Sequence, residues 1–222
     1  LHTLSNDVLV TSETSISITT NTTINGGGHT IMFSGGAAGF DIDESVTSLT
    51  LSNVILDGLA LESLQQEGLE VVIAGDSVIR LGRDTTLNTM LHCVGHTQID
   101  GAGHALTLGV DGVILSMGGS TTTLCDISLY NVRGRGIACA SPDSQVVFKR
   151  AQIDLVADWM LPDGLWTMLQ GVRIIGPHAV VHSGSVIMEH GSTLTLSEGA
   201  EWRYAATDAS LVCLGNAKLV LD

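Results

Sequence analysis

The sequence predicts an all-β solenoid, in which short strands follow one another around stacked turns. The first observation behind this prediction is a motif that recurs at a fixed spacing: "INGGGHTI" at 24–31, "IDGAGHAL" at 99–106 and "IIGPHAV" at 174–180. The leading residues Ile24, Ile99 and Ile174 are equally spaced along the chain. A fixed period of this kind indicates a repeat array, in which each unit packs on its neighbours.

The second observation is a set of short apolar alternations. Their period of two places one face of a strand in a core. Examples are Ile16-x-Ile18, Ile31-x-Phe33, Leu49-x-Leu51, Val54-x-Leu56 and Ile79-x-Leu81. Gly, Asn, Asp and Ser separate these pairs, and a helical period is nearly absent, apart from a weak candidate at 59–70. The spacing between the pairs suits the turns of a solenoid better than it suits hairpins.

We expect a single domain over 1–222, in which 1–13 ends a preceding repeat, 14–88 is repeat one, 89–166 is repeat two and 167–222 is a truncated repeat three. About nine to ten coils, stacked at roughly 4.8 Å each, would form a rod about 45 Å long. His29, His104 and His178 recur with the motif. If one repeat spans three coils, these histidines lie about 14 Å apart, too far to share a metal ion. We therefore predict corner hydrogen bonds for them, no metal site and no cofactor.

The strings "TTINGGGHTI" at 22–31 and "LTLSNVILDG" at 49–58 resemble coils of the right-handed parallel β-helix proteins, and this resemblance covers the whole chain. The group includes pectate lyases, polygalacturonases and many secreted surface proteins. The resemblance implies a right-handed parallel β-helix with an extracellular or cell-surface location. It also explains the glycines, because corners between strands need the positive φ that glycine adopts easily. A phosphate-binding loop would need a helix after it, and "HTIMF" is typical of a strand.

An enzyme of this group remains the alternative function, as a polysaccharide lyase or a glycoside hydrolase. The "NTD", "DD" and "GHG" signatures of polygalacturonase-like members are missing from the sequence. The one tight acidic cluster, Asp41, Asp43 and Glu44, has the alternation of a solvated strand face. We expect an enzyme to place two or more carboxylates beside Arg80, Arg83 or Arg150 on adjacent coils. We predict no catalytic residue and favour a non-enzymatic role.

The net charge of the chain restricts the classes of partner that it can bind. Nine Lys and Arg stand against 23 Asp and Glu, for a formal net charge of −14. Such a chain has too few cations for a nucleic-acid interface. Its apolar runs are too short to insert into a membrane.

Cys139 and Cys213 occupy the repeat position of Ile73, so we expect both to be small core residues. One full repeat separates them, about 14 Å, which is too far for a disulfide.

The best candidate for a contact site is an insertion in repeat two, "DLVADWMLPDG" at 154–164. Trp159 and Trp166 flank a turn that contains Asp163, and exposed tryptophan suits stacking on sugars or contact with a protein. We predict that these three residues bind a carbohydrate or a protein surface ligand. The alternative is that the segment folds back over the coil and buries both rings.

The two ends of the chain are alike. "LHTLSNDVLV" at 1–10 matches "LVCLGNAKLV" at 211–220 at five positions, and neither end has a polar cap. The chain is then either a segment of a longer array or a unit that self-associates head to tail. A trimeric fibre is a third hypothesis, which needs an apolar outward face. The predicted function is a structural or adhesive segment of a secreted or surface-displayed protein.

Overall fold

The computed structural model describes residues 1–35, 38–205 and 209–222. It is all-β, with 62% strand and 2% helix, and its parallel strands stack as a β-solenoid of about nine turns. The strands are β1 (His2–Thr3), β2 (Val8–Thr11), β3 (Ser15–Ile18), β4 (Thr22–Asn25), β5 (Thr30–Ser34), β6 (Gly39–Ile42), β7 (Ser48–Ser52), β8 (Ile55–Leu59), β9 (Glu70–Ala74), β10 (Ser77–Leu81), β11 (Thr85–Leu87), β12 (Met90–Val94), β13 (His96–Asp100), β14 (Ala105–Leu108), β15 (Val113–Ser116), β16 (Thr121–Gly134), β17 (Ile137–Cys139), β18 (Gln145–Leu161), β19 (Leu165–Ile175), β20 (Ala179–His182), β21 (Ser185–Met188), β22 (Thr193–Ser197), β23 (Glu201–Tyr204), β24 (Ser210–Cys213) and β25 (Lys218–Leu221). One 3-10 helix, Leu61–Leu64, stands where the sequence suggested a helix at 59–70.

Each turn has three sides, and a strand stacks on the strand of the same side in the next turn. The first side is a seven-stranded sheet in the order β1-β4-β7-β9-β12-β15-β17, and the end of β18 with β20 and β23 continues it. The second side is the path β2-β5-β8-β10-β13-β16-β18-β19-β21-β24. The third side contains β3, β6, β11, β14, β22, β25 and the second halves of β16, β18 and β19.

The turns differ in length. Val71 lies beside Leu91 in register, whereas Ile24 lies beside Leu51, so the chain uses more residues for the second of these turns. The long strands β16 and β18 pass from the second side to the third through a single residue in the left-handed region. These residues are Asp126 and Arg150, with φ of 49° and 50°. In β19 the passage uses two residues, Gln170 and Gly171, with φ of 51° and 24°. One such residue bends the chain at a cost of about 1–2 kcal/mol, which the stacking of the turns must offset.

Like residues stack on like residues in the core. On the second side the column Ile79, Ile99, Leu124, Phe148 and Met168 runs through five successive turns in register. All five side chains are buried. Burial of one such side chain contributes roughly 1.5–3 kcal/mol. The period-two pattern of the sequence therefore becomes one continuous core along the axis of the rod.

The sequence repeat is out of step with the turns. The motif at Ile24 follows β4 and leads from the first side to the second, whereas the motif at Ile99 leads from β13 on the second side to the third. The motif at Ile174 leads from β19 on the third side to the first. Each repeat thus advances by three turns and one further side. The expectation that the motifs stand three coils apart in one column is wrong, because each repeat contains enough residues for three turns and one further side.

The three corners nevertheless share one arrangement. An aspartate of the preceding turn accepts the backbone N–H of the residue that follows the histidine, and the histidine Nδ1 lies near the same oxygen. The backbone bonds are Thr30 to Asp7 (2.9 Å), Ala105 to Asp84 (2.9 Å) and Ala179 to Asp158 (3.0 Å). The Nδ1 distances are 3.4 Å for His29, 3.6 Å for His104 and 4.0 Å for His178. The histidines therefore join neighbouring turns at corners, as their repetition suggested.

Two glycines of one corner serve different purposes. A Cβ on Gly101 would lie 2.5 Å from the carbonyl oxygen of Asp126 in the next turn, so Gly101 permits a close approach between turns. Gly103 has φ of +87° and open space around it, so it supplies only the backbone conformation.

Gly101→Ala should therefore destabilise the protein more than Gly103→Ala. We expect a loss of about 1–3 kcal/mol for Gly103→Ala from backbone strain alone. The loss for Gly101→Ala should be larger, because the turns must move apart to admit the methyl group. Urea unfolding followed by circular dichroism measures both variants. Equal losses, or a larger loss for Gly103→Ala, would contradict the close contact between turns.

Candidate functional site

The predicted contact site at the repeat-two insertion is not a projecting loop. Strand β18 runs to Leu161 and pairs with β16, β19 and β20, so residues 154–161 belong to the wall of the solenoid. Trp159 and Trp166 are both 0% exposed, and only Asp163, in the turn after β18, is accessible to solvent. The expected exposure of the two rings is wrong. Both rings are buried, as the alternative expected, but the segment is a strand of the wall and does not fold back over the coil.

The two tryptophans pack against each other and against Phe148 in the core. The ring of Phe148 stacks on Trp166 at 6.3 Å and meets Trp159 edge-on at 5.7 Å. Each indole N–H donates to a backbone carbonyl, Trp159 to Ile137 at 3.3 Å and Trp166 to Pro162 at 3.2 Å. Packing and satisfied N–H groups explain why apolar rings of this size lie inside. A ligand could reach them only if the turn opened.

A row of charged side chains runs along the outer surface of the second side. Asp57, Arg80 and Asp100 lie in register on β8, β10 and β13. Arg80 lies between two carboxylates, with Nη1 at 3.4 Å from Asp57 and Nε at 3.5 Å from Asp100. The row continues in register to Cys125 and Lys149. Carboxylates from adjacent turns therefore do meet Arg80, which is the arrangement that we set as a condition for an enzyme.

An open groove of about 670 Å³ lies beside this row. Its polar lining includes Asp100, Asp126, Ser128, Arg150 and Gln152. Asp126 is one of the left-handed residues, and this conformation turns its side chain toward the outer surface next to Cys125. The groove thus combines carboxylates, a guanidinium group and an amide within reach of one ligand.

Asp126 and Arg150 lie on neighbouring turns and form an ion pair. The Arg150 Nε donates to Asp126 Oδ1 at 2.5 Å, Nη2 pairs with Oδ2, and Nη1 donates to Gln170. The hydrogen bonds from Arg150 lower the pKa of Asp126 below its usual range, and the same bonds raise the pKa of Arg150. Both groups therefore stay charged at ordinary pH, so neither is a ready proton donor or acceptor.

Cys125 lies against the two aspartates. Its Sγ and the carboxylate oxygens of Asp100 and Asp126 all lie within 4.8 Å of one another. Burial raises the pKa of the Cys125 thiol to about 11, and the two carboxylates act in the same direction. The free thiol is consequently neutral near pH 7.

The other cysteines are also free thiols, and three of the four are buried. Cys139 belongs to the first-side column that includes Cys93 and Ile73, as the repeat predicted. Cys213 lies on the second side beside Met188 and is exposed. Cys213 continues the inward column of Met168 and Met188 in register. The expected burial of Cys213 is nevertheless wrong, because β24 ends the path and no described strand stacks on it.

The acidic cluster at 41–44 is a solvated surface. Asp41, Asp43 and Glu44 are exposed. The side chain of Asp43 accepts hydrogen bonds from the hydroxyl and the backbone N–H of Ser45, which lower its pKa. This agrees with the solvated strand face expected from the sequence.

Sequence reasoning missed the group Asp100, Cys125 and Asp126. These residues come together because Asp100 pairs in register with Cys125 of the next turn. The string "QID" ends β13, and "LCD" lies inside β16 at its bend. In both strings a polar or reactive residue follows an inward apolar one. With the correct length of this turn, the shared pattern would have predicted that Asp100 lies beside Cys125.

Comparison of the chain with protein-family models, with curated proteins and with solved structures gives no match. Within the described ranges, no helix has the length and apolar character needed to cross a membrane. Inferences about function therefore depend on the fold, the charged row and the groove.

The burial of the tryptophans has a direct spectroscopic consequence. In a Trp202→Phe variant, only Trp159 and Trp166 contribute to tryptophan fluorescence, and iodide should hardly quench it because both rings are inside. Trp159→Ala and Trp166→Ala should each lower the free energy of unfolding by about 3–5 kcal/mol. Efficient iodide quenching of Trp202→Phe, with small losses of stability in the alanine variants, would show that the rings are exposed.

Proposed function

We propose that the chain is a structural or adhesive β-solenoid segment of a secreted or surface-displayed protein. One observation carries the proposal: the charged side chains of the outer surface join successive turns. Arg80 spans Asp57 and Asp100, and Arg150 spans Asp126 and Gln170. Paired charges of this kind hold neighbouring turns in register, which is a structural use of charge. The expected extracellular or cell-surface location rests on the resemblance to β-helix proteins.

The adhesive contact would use the groove. Its lining offers hydrogen-bond donors and acceptors from Asp126, Arg150 and Gln152, which suit a carbohydrate or a polar protein segment. Asp163 remains a candidate contact residue because it is exposed in the turn after β18. Trp159 and Trp166 are not part of this proposal, since both are buried.

End-to-end association with a second copy is the further part of this proposal. β2 and β24 stand at opposite ends of one parallel path, so each has an edge without a partner strand in the described chain. Apolar side chains are exposed at both ends, including Leu9 (62%) and Leu221 (75%). Pairing β24 of one copy with β2 of the next would extend the path and cover these side chains.

A lyase or glycoside hydrolase is the second candidate. The carboxylate oxygens of Asp100 and Asp126 favour it, because they lie within 4.8 Å of each other. The two catalytic carboxyl groups of retaining glycosidases are about 5–5.5 Å apart. The lowered pKa of Asp126 counts against it, because a general acid needs a raised pKa.

Incubation with neutral and acidic polysaccharides separates the two candidates. We expect the wild type and Asp126→Asn to release no reducing ends and no unsaturated products, while a glycan array reports binding to intact polymer. Asp126→Asn keeps the size of the side chain, so it is a matched control. Depolymerisation by the wild type that disappears in Asp126→Asn would overturn the structural proposal and establish the enzyme.

Analytical ultracentrifugation tests the end-to-end contact. We expect the wild type to form species larger than a monomer as its concentration rises. Val212→Lys, on the free edge of β24, should suppress them, because it places a charge in the contact. Val156→Lys is the matched control, since Val156 has the same 41% exposure on an inner turn. A strictly monomeric wild type at high concentration would contradict the contact.

A further inference from the structure

The backbone of Cys125 pairs with its neighbouring turns, but its side chain in the outer row bridges no charges between them. Cys125 follows the inward side chain of Leu124, and its register neighbours Asp100 and Lys149 point outward. Cys125 is nevertheless only 4% exposed, because Asp100 and Asp126 lie against it. Its Sγ has no hydrogen-bond partner among the described residues. The thiol and the two carboxylates, which meet at the rim of the groove, together form a set of metal ligands.

We propose that Asp100, Cys125 and Asp126 bind a borderline transition-metal ion of the Zn²⁺ class. Ca²⁺ and Mg²⁺ prefer ligand sets of oxygen only, whereas a thiolate with two carboxylates suits Zn²⁺ or Co²⁺. The open groove gives water access to the remaining coordination position. This inference does not depend on the proposed structural or adhesive role.

The geometry permits the site after small movements. In a tetrahedral zinc site the ligand atoms stand about 3.3–3.8 Å apart, and here the three atoms lie within 4.8 Å. Rotation of the two aspartate side chains brings the oxygens nearer to the thiol. Asp100 Oδ1 accepts the backbone N–H of Ala102 at 2.9 Å, and Oδ2 accepts Arg80 Nε at 3.5 Å, so each oxygen keeps one lone pair for the metal. Cys125 and Asp126 are adjacent in the chain, so the site depends on a single alignment between turns, that of Asp100 with Cys125.

The charge balance of the step is simple. The metal ion replaces the thiol proton of Cys125, the proton goes to solvent, and no group is oxidised or reduced. Arg150 competes with the metal for Asp126, and Arg80 competes for Asp100. Removal of the Arg150 guanidinium should therefore strengthen metal binding, whereas removal of any of the three ligands should weaken it.

Titration of the full chain with Co²⁺ tests the site. A cobalt–thiolate bond gives a charge-transfer band in the near ultraviolet, which carboxylates alone do not give. We expect this band in the wild type and its loss in Cys125→Ser. Asp100→Asn and Asp126→Asn should weaken the apparent affinity at least about tenfold. Arg150→Gln should retain the band and bind Co²⁺ at least as tightly as the wild type.

Cys213→Ser is the matched control, because Cys213 is the exposed thiol and lies on another turn. This variant should keep the band. Circular dichroism checks that every variant retains its strands. The absence of a band in the folded wild type, or a band that survives Cys125→Ser, would overturn the proposal. A band lost only in Cys213→Ser would overturn it equally.

Discussion

The structure depends on one constraint: each turn must bring the backbone back beside the previous turn, in register, at the roughly 4.8 Å spacing of paired strands. The backbone N–H and C=O groups of one turn are then satisfied by its neighbours. The shorter turn from Val71 to Leu91 and the longer turn from Ile24 to Leu51 meet this constraint equally. Corners absorb the difference in length, so the sides remain aligned while the sequence between them varies.

The same constraint explains why one sequence motif serves three different corners. Every corner must turn the chain sharply and remain close to the turns above and below it. The aspartate that accepts the N–H after His29, His104 or His178 satisfies this need wherever the corner lies. Register also brings outward residues from distant parts of the sequence into rows. The row from Asp57 to Cys125 follows from this, and so does the groove beside it.

Local rules predicted the solenoid well. Alternating apolar residues became stacked strands, and glycines became corners, because both depend on the residue and its neighbours. The right-handed sense of the coil stays a prediction. The phase of the turns could not be counted from the sequence, since their lengths differ, so the register that brings Asp100 beside Cys125 was not predicted. The sequence predicted a loop around Trp159 and Trp166 because repeat two is longer than the other repeats there. In the structure the extra residues extend β18, which is part of the solenoid wall.

Interstrand backbone NOEs test the central claim, that the repeat advances by three turns and one side. We expect Ile99 to show backbone contacts with Ile79 and Leu124, its register partners. Ile24 should show them with Leu51 and Ile174 with Ile153. If the repeat were instead three equal coils, Ile99 would pair with a residue one third of a repeat earlier, close to Ile73. Backbone NOEs from Ile99 to Ile73, with none to Ile79, would contradict the account.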